Sequence, residues 1–403
     1  MTVSIIHSTQ GICNYILEKE VKKGGNIFYH CRYKGKLTCP HCGSTNVIQK
    51  EIIYRTFLGV PFGGTQVYLI MAIPKVQCKD CNAAKRIKIP FAKPYKRYTN
   101  KFEEYVISLT EHMTCADVAA LLNISWDTVR EIEKTYLEKH YSHPSLKDVR
   151  RIAIDEIAVK KGHKYLTIVL DLDTGRVIHV GAGKEGASLD KFWKRLKRSK
   201  AKIECVSVDL SPAYTAAVEK HLPNALIVYD HFHLIKLFND MLSKARRDLF
   251  NKLTDKESQK VVKGIRFLLL KRSENLDPDK GEPERIQKAI EMNKDLFNIY
   301  YLKDLFNSLW DQPDRQHADG IMNDFLQAAE SLNIPALTQF CKTIRRHVIG
   351  ILNWHDCRIS SGPLEGLNNK IKVLKRRAYG YRNMEYFKLK IFAIHKTRYQ
   401  LVG

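Results

Sequence analysis

Two acidic residues that directly follow short apolar stretches constrain the fold of this chain more than any other feature. Asp155 follows Ile152-Ala153-Ile154, and Asp209 follows Val206-Ser207-Val208. Apolar, β-branched stretches of this length are typical of buried strands, so each acid is predicted to lie at a strand end. Two such acids in one sheet form a candidate metal site. An Asp after a strand can also cap the next helix, and Asp209, which precedes Ser211-Pro212, is open to that interpretation.

The segments between and after these acids predict the order of secondary structure. Strands are predicted at 165–170 and 176–180, and the turn-rich connection between them suits a hairpin. Helices are predicted at 188–200 and 212–221, and a last strand at 225–230. A three-strand meander, helix, strand, helix and strand is the order of an RNase H-like fold. There the acids lie on neighbouring strands about 4.8 Å apart, where carboxylates can share divalent ions.

The chain has a large excess of positive charge. Its 403 residues include 67 Lys and Arg against 43 Asp and Glu, giving a net charge of +24, and 44% of them are hydrophobic. That length and apolar content suit two or three domains. The charge favours a polyanionic partner such as nucleic acid, although a solvated basic surface is compatible with it. Because no apolar segment of membrane-spanning length or signal segment is evident, we expect a cytoplasmic protein.

Four of the ten cysteines form two Cys-x-x-Cys pairs, Cys39 with Cys42 and Cys78 with Cys81. Four thiolates at this spacing can hold one tetrahedral Zn²⁺, which predicts a zinc ribbon with a structural metal. A redox-active pair is the alternative, but no thioredoxin-like βαβ unit lies nearby. In a reducing cytoplasm the other six are expected to stay reduced, most of them as small buried apolar residues. These six are Cys13, Cys31, Cys115, Cys205, Cys341 and Cys357.

Residues 114–130 have the layout of a helix-turn-helix. Thr114 and Ser125 can each cap a helix, and Asn123 suits the left-handed turn between them. Side chains at the start of the second helix would then reach DNA base edges. A helical hairpin inside a domain is the alternative, and the neighbouring charge favours DNA binding. The residues predicted to contact DNA here are Ser125, Trp126, Thr128 and Arg130.

Several further segments allow two interpretations. The basic and aromatic connector at 93–98 could lie along a phosphate backbone or be a solvated linker. Asp230, His231 and His233 could be metal ligands, or Asp230 could cap a helix beside two partly buried histidines. His163, near Asp155, could contact DNA or simply be solvated. Residues 251–355 predict a helical insertion whose chemistry the sequence does not indicate.

A last helix is predicted from about residue 360. Glu365 lies in its first turns, where it could point back to the sheet edge and complete a three-carboxylate site. Stabilisation of the helix dipole is the alternative role for an acid at that position. The helix also carries a basic face that could grip phosphates. That face comprises Asn368, Asn369, Lys372, Lys375 and Arg376.

These motifs, taken in order, resemble one known family. The ribbon, the helix-turn-helix, Ile154-Asp155-Glu156, the Asp209 and Asp230-His231-Phe232-His233 segments and Ser361–Lys370 are similar to the DDE transposases of bacterial insertion sequences, most closely the ISL-three family. The resemblance spans nearly the whole chain. It implies an α/β, RNase H-like catalytic core with a large α-helical insertion, and a triad of Asp155, Asp209 and Glu365 that binds Mg²⁺ or Mn²⁺.

The resemblance also implies an activity and its partners. A transposase of this kind binds the terminal inverted repeats of a mobile element and performs metal-dependent cleavage and strand transfer on double-stranded DNA. Because two ends must meet, a homodimer or higher oligomer on nucleoid DNA is expected. One alternative is a zinc-containing helix-turn-helix transcription regulator without catalysis, and another is a nuclease or junction resolvase that cleaves and never joins. The predicted domains are a zinc ribbon (1–92), a helix-turn-helix domain (93–147), the first part of the catalytic core (148–250), the helical insertion (251–355) and a final core helix with the last acid (356–403).

Overall fold

The computed structural model describes residues 5–160 and 164–396, so His163 lies outside the described part of the chain. It divides into two compact units. One comprises 1–142 together with 373–403, and the other comprises 143–372. This division differs from the predicted domains, which place all of 356–403 with the catalytic core.

The first unit contains a five-stranded sheet. Strand order is β1-β2-β4-β3, with β2 parallel to β4, the other pairs antiparallel, and β5 beside β4. Strand β4 is buried along most of its length, and its Leu69 and Met71 pack with Phe57 of β3 in the core of this unit. The strands are β1 (Tyr15–Lys23), β2 (Asn26–Tyr33), β3 (Val47–Leu58), β4 (Val67–Cys78) and β5 (Ala84–Arg86), preceded by helix α1 (Ile5–Gln10).

Three helices follow the sheet, α2 (Asn100–Thr110), α3 (Cys115–Leu121) and α4 (Trp126–Tyr141). The predicted caps are confirmed, because the Thr114 side chain accepts from the N–H of Asp117 and that of Ser125 from the N–H of Thr128. Asn123 adopts the predicted left-handed conformation, with φ of 46°. The helices enclose a small core that includes Phe102, Val118 and Val129. Helix α4 therefore has the place of a recognition helix.

The last helix, α15 (Met384–Phe392), also packs in this first unit. Its Lys390 Nζ lies 2.5 Å from Glu133 Oε1 of α4, and both side chains are buried. Tyr386 of α15 donates to the same Glu133 carboxylate. A buried charge needs its partner close by, which is why the end of the chain groups with the helix-turn-helix and not with the core.

The second unit contains the predicted meander. Strand order is β10-β9-β6-β7-β8, with β6, β7 and β8 antiparallel and with β9 parallel to both β6 and β10. This is the strand order of an RNase H-like fold, so the predicted fold is confirmed. The strands are β6 (Arg151–Lys160), β7 (Lys164–Asp171), β8 (Val177–Ala182), β9 (Cys205–Val208) and β10 (Leu226–Tyr229).

Helices connect and cover this sheet. Phe192, Trp193 and Leu196 of α5 pack in the same continuous core as the strands. That core extends into the helical region, where Phe238 and Phe306 stack with ring centroids 5.6 Å apart. The helices are α5 (Asp190–Ser199), α6 (Pro212–His221), α7 (His231–Lys252), α8 (Lys256–Gly264), α9 (Glu282–Ile290), α10 (Lys294–Asn307), α11 (Arg315–Ser331), α12 (Pro335–Leu352), α13 (Trp354–Cys357) and α14 (Gly362–Arg377).

One pair of cysteines differs from the prediction that all would stay reduced. Cys205, at the start of β9, and Cys357, at the end of α13, form a disulfide with a Cα–Cα distance of 6.6 Å. Their separation of 152 residues hides the pairing in the sequence, since only the packing of α13 against β10 brings the two together. The bond links the strand that precedes Asp209 to the segment that leads into α14.

Candidate active site

The two predicted strand acids lie on neighbouring strands. Strands β6 and β9 are parallel, with Ile152 opposite Val206 and Ala153 opposite Ser207. Continuing that register by two residues places Asp155 opposite Asp209, which directly follows β9. Strand β6 extends to residue 160, so Asp155 lies inside the strand and not at its end as predicted. Parallel neighbours are about 4.8 Å apart, which brings the two carboxylates to the same edge of the sheet.

Burial dominates the electrostatics of this pair. With burial as the largest cause, the pKa of Asp155 is raised to about 6; the charge of Asp209 contributes a smaller increase, while the N–H of Glu156, 2.7 Å from Oδ1, and the charge of His233 act in the opposite direction. Burial likewise raises the pKa of Asp209, against a hydrogen bond of 3.0 Å from the N–H of Ser211. Two adjacent, partly desolvated acids of this kind are typical of sites that bind a cation or transfer protons.

Helix α14 contacts Asp155 through Asn368, a residue of the predicted phosphate-binding face. Asn368 Nδ2 donates to Asp155 Oδ2 over 2.8 Å, across 213 residues of sequence. The other amide atom, Asn368 Oδ1, is buried and accepts no hydrogen bond from the described residues. The only sequence signal for this contact is the position of Asn368 three residues after Glu365, which places both on one helix face.

Glu365 is in the first turn of α14, as predicted, and its side chain is exposed. It lies one turn from the Asn368 contact. Among the described residues, however, only the four cysteines bring three or more potential ligand atoms within 4.8 Å of one another. The structure therefore brings Asp155 and Asp209 together and places the Glu365 helix beside them, without closing the three carboxylates into one cluster.

Asp230 contacts His233, whereas His231 packs elsewhere. The buried Asp230 caps α7, and its Oδ2 lies 3.0 Å from His233 Nδ1. Burial alone would raise the pKa of Asp230, but hydrogen bonds from His233 and Ser361 lower it. The hydrogen bond to Asp230 raises the pKa of His233, as do the charges of Asp155 and Asp209. His231 instead packs against Trp310, with ring centroids 5.6 Å apart.

The four paired cysteines converge as predicted. Cys39 Sγ lies 3.7 Å from Cys81 Sγ, and Cys42 Sγ lies 3.6 Å from Cys78 Sγ. Sulfurs at about 2.3 Å from a tetrahedral Zn²⁺ are about 3.8 Å from one another, so the cluster fits zinc. A hydrogen bond from the backbone N–H of Cys42 lowers the pKa of Cys39 to about 6, which favours the thiolate form that binds metal.

The residues predicted to contact DNA at the start of α4 differ in their exposure and in the bonds that their side chains already make. Ser125 and Thr128 bond to each other through their hydroxyls, 2.8 Å apart, so both contribute to the helix cap. Trp126 is 46% exposed, and the Arg130 guanidinium lies 4.8 Å from the centre of its ring. On α14, Asn369, Lys372 and Arg376 are exposed and Lys375 is half-buried. The assignment of all eight residues to DNA contact remains a prediction.

Three family models match the chain in order. Residues 36–81 match the zinc-finger of transposase IS204/IS1001/IS1096/IS1165, residues 87–137 match the helix-turn-helix domain of transposase family ISL3, and residues 152–391 match an ISL3 model described as transposase. The last of these covers more than half of the chain. The chain belongs to the ISL3 family of transposases. Its zinc ribbon, helix-turn-helix and transposase domain are therefore those of this family.

Two transposases of bacterial insertion sequences match along most of their length. The transposase for insertion sequence element IS1001 of Bordetella parapertussis is 30% identical over 360 residues, which cover 89% of this chain and 88% of the relative. The transposase for IS1557 of Mycobacterium tuberculosis is 25% identical over 370 residues, covering 86% and 82%. A solved Drosophila P element transposase strand transfer complex aligns with a TM-score of 0.44 at 10% identity, covering 74% of this chain and 92% of that one.

Among the described residues, no helix has the length and apolar character needed to cross a lipid bilayer.

Proposed function

We propose that this chain is a DDE transposase that cleaves and joins double-stranded DNA through Asp155, Asp209 and Glu365. The observation that carries the proposal is the parallel register of β6 and β9, which pairs the two aspartates. The Asn368 contact supports it, because it brings the helix that carries Glu365 to the same strand. Membership of a transposase family supports DNA cleavage and transfer as the general chemistry.

The residues at this edge fit a Mg²⁺ or Mn²⁺ site. They offer two neighbouring carboxylates and the buried Asn368 amide oxygen, which has no hydrogen-bond donor in the described part of the chain, and hard divalent cations prefer oxygen ligands of this kind. Asp155 and Asp209 would hold the metal, and Glu365 would complete the set. When bound, such ions stabilise the charge that develops on attacking and departing oxygens of a phosphodiester.

The protein side of the mechanism follows from how the acids are held. Backbone N–H groups fix one oxygen of each aspartate, and the Asn368 amide donates to the second oxygen of Asp155. Glu365 is exposed and does not cluster with the two aspartates among the described residues, so its carboxylate would have to move to join the pair. The same acids then serve cleavage, which frees a 3′-hydroxyl, and strand transfer, in which that hydroxyl attacks target DNA. No covalent protein intermediate is required.

DNA-end recognition is assigned to the first unit. Exposed Trp126 and half-buried Arg130 would contact bases in the major groove, while the basic residues of α14 would contact phosphates. Zinc at the four cysteines has a structural role. Since two ends must be joined, the active form is a homodimer or higher oligomer on DNA.

A strand-transfer assay tests the proposal. The substrate is a duplex that carries the inverted repeats flanking the coding sequence, incubated with Mg²⁺ and a target plasmid. We expect cleavage and joining by wild type, and losses of at least about 1,000-fold in Asp155→Asn, Asp209→Asn and Glu365→Gln without loss of DNA binding, as for charge-stabilising groups in general. Binding without nicking would indicate the transcription regulator, and cleavage without joining would indicate the nuclease or resolvase.

A further inference from the structure

Two tyrosines in the first unit occupy backbone positions that normally require glycine. Among the described non-glycine residues with positive φ, five of nine are Asn or Asp, which tolerate that conformation. Tyr95 and Tyr379 also belong to this set, with φ of 63° and 50°. Left-handed backbone is unfavourable for a bulky residue, so each position is locally strained.

The local hydrogen bonds show which turn motif each tyrosine belongs to. The N–H of Lys96 donates to Lys93 O over 3.2 Å, with Pro94 and Tyr95 as the central residues of the turn. Proline followed by a residue with positive φ is the pattern of a type II turn, in which the second central residue is normally Gly. Tyr95 takes that place.

Tyr379 likewise occupies the usual glycine position of a helix C-terminal motif. After α14, the N–H of Gly380 donates to Lys375 O and that of Tyr379 to Arg376 O. These two bonds define a Schellman motif whose left-handed residue is Tyr379, where glycine is usual. The two tyrosines have relative exposures of 97% and 101%, so neither ring gains packing that would offset the strained backbone.

The first turn is bonded directly to the recognition helix, and the second is connected to it through α15. Lys96 Nζ lies 2.5 Å from Glu131 Oε1, and Lys390 Nζ of α15 lies 2.5 Å from Glu133 Oε1. Residues two apart on a helix point about 200° apart, so the two attachments lie on opposite sides of α4. The ring of Tyr381 stacks on Phe387 with centroids 4.5 Å apart, which holds the segment after Tyr379 against α15.

The flanking charge identifies the ligand. Tyr95 lies between lysines 93 and 96 and is followed by Arg97, and Tyr379 follows Lys375, Arg376 and Arg377. Positive side chains attract phosphates, and an exposed aromatic ring beside them can pack on the sugars of the same backbone. We infer that Tyr95 and Tyr379 contact the sugar-phosphate backbone of duplex DNA beside α4. This inference rests on the proposed DNA-end binding by α4 and extends it to two non-helical contacts.

Glycine substitutions separate binding from folding. Tyr95→Gly, Tyr379→Gly and the double variant remove the ring and relieve the strained backbone, so we expect melting temperatures equal to or above that of wild type. Full-length protein is titrated into a fluorescein-labelled duplex carrying the flanking inverted repeat, followed by anisotropy. We expect roughly two- to ten-fold weaker binding for each single variant, since loss of an aromatic contact has effects of about this size. Tyr301→Ala, an exposed tyrosine of α10, is the control and should bind as wild type does.

Salt dependence distinguishes a ring contact from a charge contact. The slope of log K against log salt should be unchanged in the tyrosine variants, whereas Arg97→Ala should reduce it by about 0.9 for one lost phosphate contact.

Unchanged affinity in the double variant, with wild type binding normally, would overturn the inference alone. Failure of wild type to bind the duplex would instead overturn the proposed function. A double variant that binds DNA normally but no longer binds vesicles of anionic phosphatidylglycerol would assign the tyrosines to a lipid surface and so also refute the inference.

Discussion

At the scale of single residues, the candidate site keeps two acids partly buried next to each other. Backbone N–H groups and the Asn368 amide compensate for some of this desolvation, but not all of it, since burial still raises the pKa of Asp155 to about 6. At neutral pH the charge of a residue held in this way lowers the free energy of unfolding, and a bound cation would remove that destabilisation. Function and stability are therefore in conflict at this position.

We predict that Asp155→Asn stabilises the Mg²⁺-free protein at neutral pH. Folding raises the pKa of Asp155 from 3.8 to about 6, so its destabilising effect is absent below pH 3.8 and complete once the pH exceeds 6. The Asn oxygen can still accept from the N–H of Glu156, and its amide nitrogen can donate to Asn368 Oδ1 once the Asn368 amide flips. Urea unfolding at pH 7.5 should show a gain on the order of 1 kcal/mol, after allowance for solvent screening, and a smaller gain at pH 5.

The control for this prediction is Asp248→Asn, an exposed change on α7, which should leave stability unaltered at both pH values. A variant at position 155 that is less stable than wild type at pH 7.5 would show that the carboxylate contributes a favourable contact that its pKa does not reflect.

At the scale of elements, α4 is held by a buried ion pair and not by apolar packing alone. Glu133 accepts hydrogen bonds from Lys390 and Tyr386, and Cys115 Sγ lies 3.3 Å from the same carboxylate. A buried pair contributes little compared with an apolar replacement, but removal of one partner leaves an uncompensated charge. The last helix of the chain thus positions the proposed recognition helix.

We predict that Lys390→Met destabilises the protein by about 3 kcal/mol or more, because it leaves Glu133 charged and buried. The double variant Glu133→Gln with Lys390→Met should recover most of that loss, as measured by a double-mutant cycle in urea. Additive effects of the two substitutions would show that the pair is not coupled.

The zinc ribbon depends on metal for the ends of β3 and β4. Val47 of β3 is paired with Cys78 of β4, so the strands end at the cluster. Cys42→Ser should therefore reduce bound zinc from one ion per chain to near zero and lower the melting temperature, since structural zinc contributes folding energy directly. Zinc is measured by release into a colorimetric chelator. Cys13→Ser, an exposed cysteine outside the cluster, should retain the metal, and equal zinc contents would exclude the cluster.

At the scale of the whole molecule, the net charge of +24 is carried by a chain of two compact units, with α14 beginning in one and ending in the other. We predict that binding to a duplex of arbitrary sequence weakens at least roughly ten-fold between 50 and 200 mM salt, because each phosphate contact releases counterions. Fluorescence anisotropy across that range measures the effect. Affinity that hardly changes with salt would show that the basic surface does not contact the phosphate backbone.

Local signals in the sequence predicted most of the elements. The caps at Thr114 and Ser125, the strand meander and the two cysteine pairs each depend on residues close in sequence or on a spacing that chemistry restricts. Position within an element was less certain, since Asp155 lies inside β6 where the sequence indicated a strand end. The acid does not terminate the strand because pairing with β7 continues beyond it, from Asp155 with Ile168 onward.

Motif order, periodicity and the spacing of the cysteines were enough to predict the family, the order of domains, the strand order of the core and a zinc cluster, because these signals can be read along the chain. Which distant side chains meet depends on the fold. Asn368 contacts Asp155, Lys390 pairs with Glu133, and Cys205 bonds to Cys357. Such contacts leave no period or spacing in the sequence, since they arise from how whole elements pack against one another.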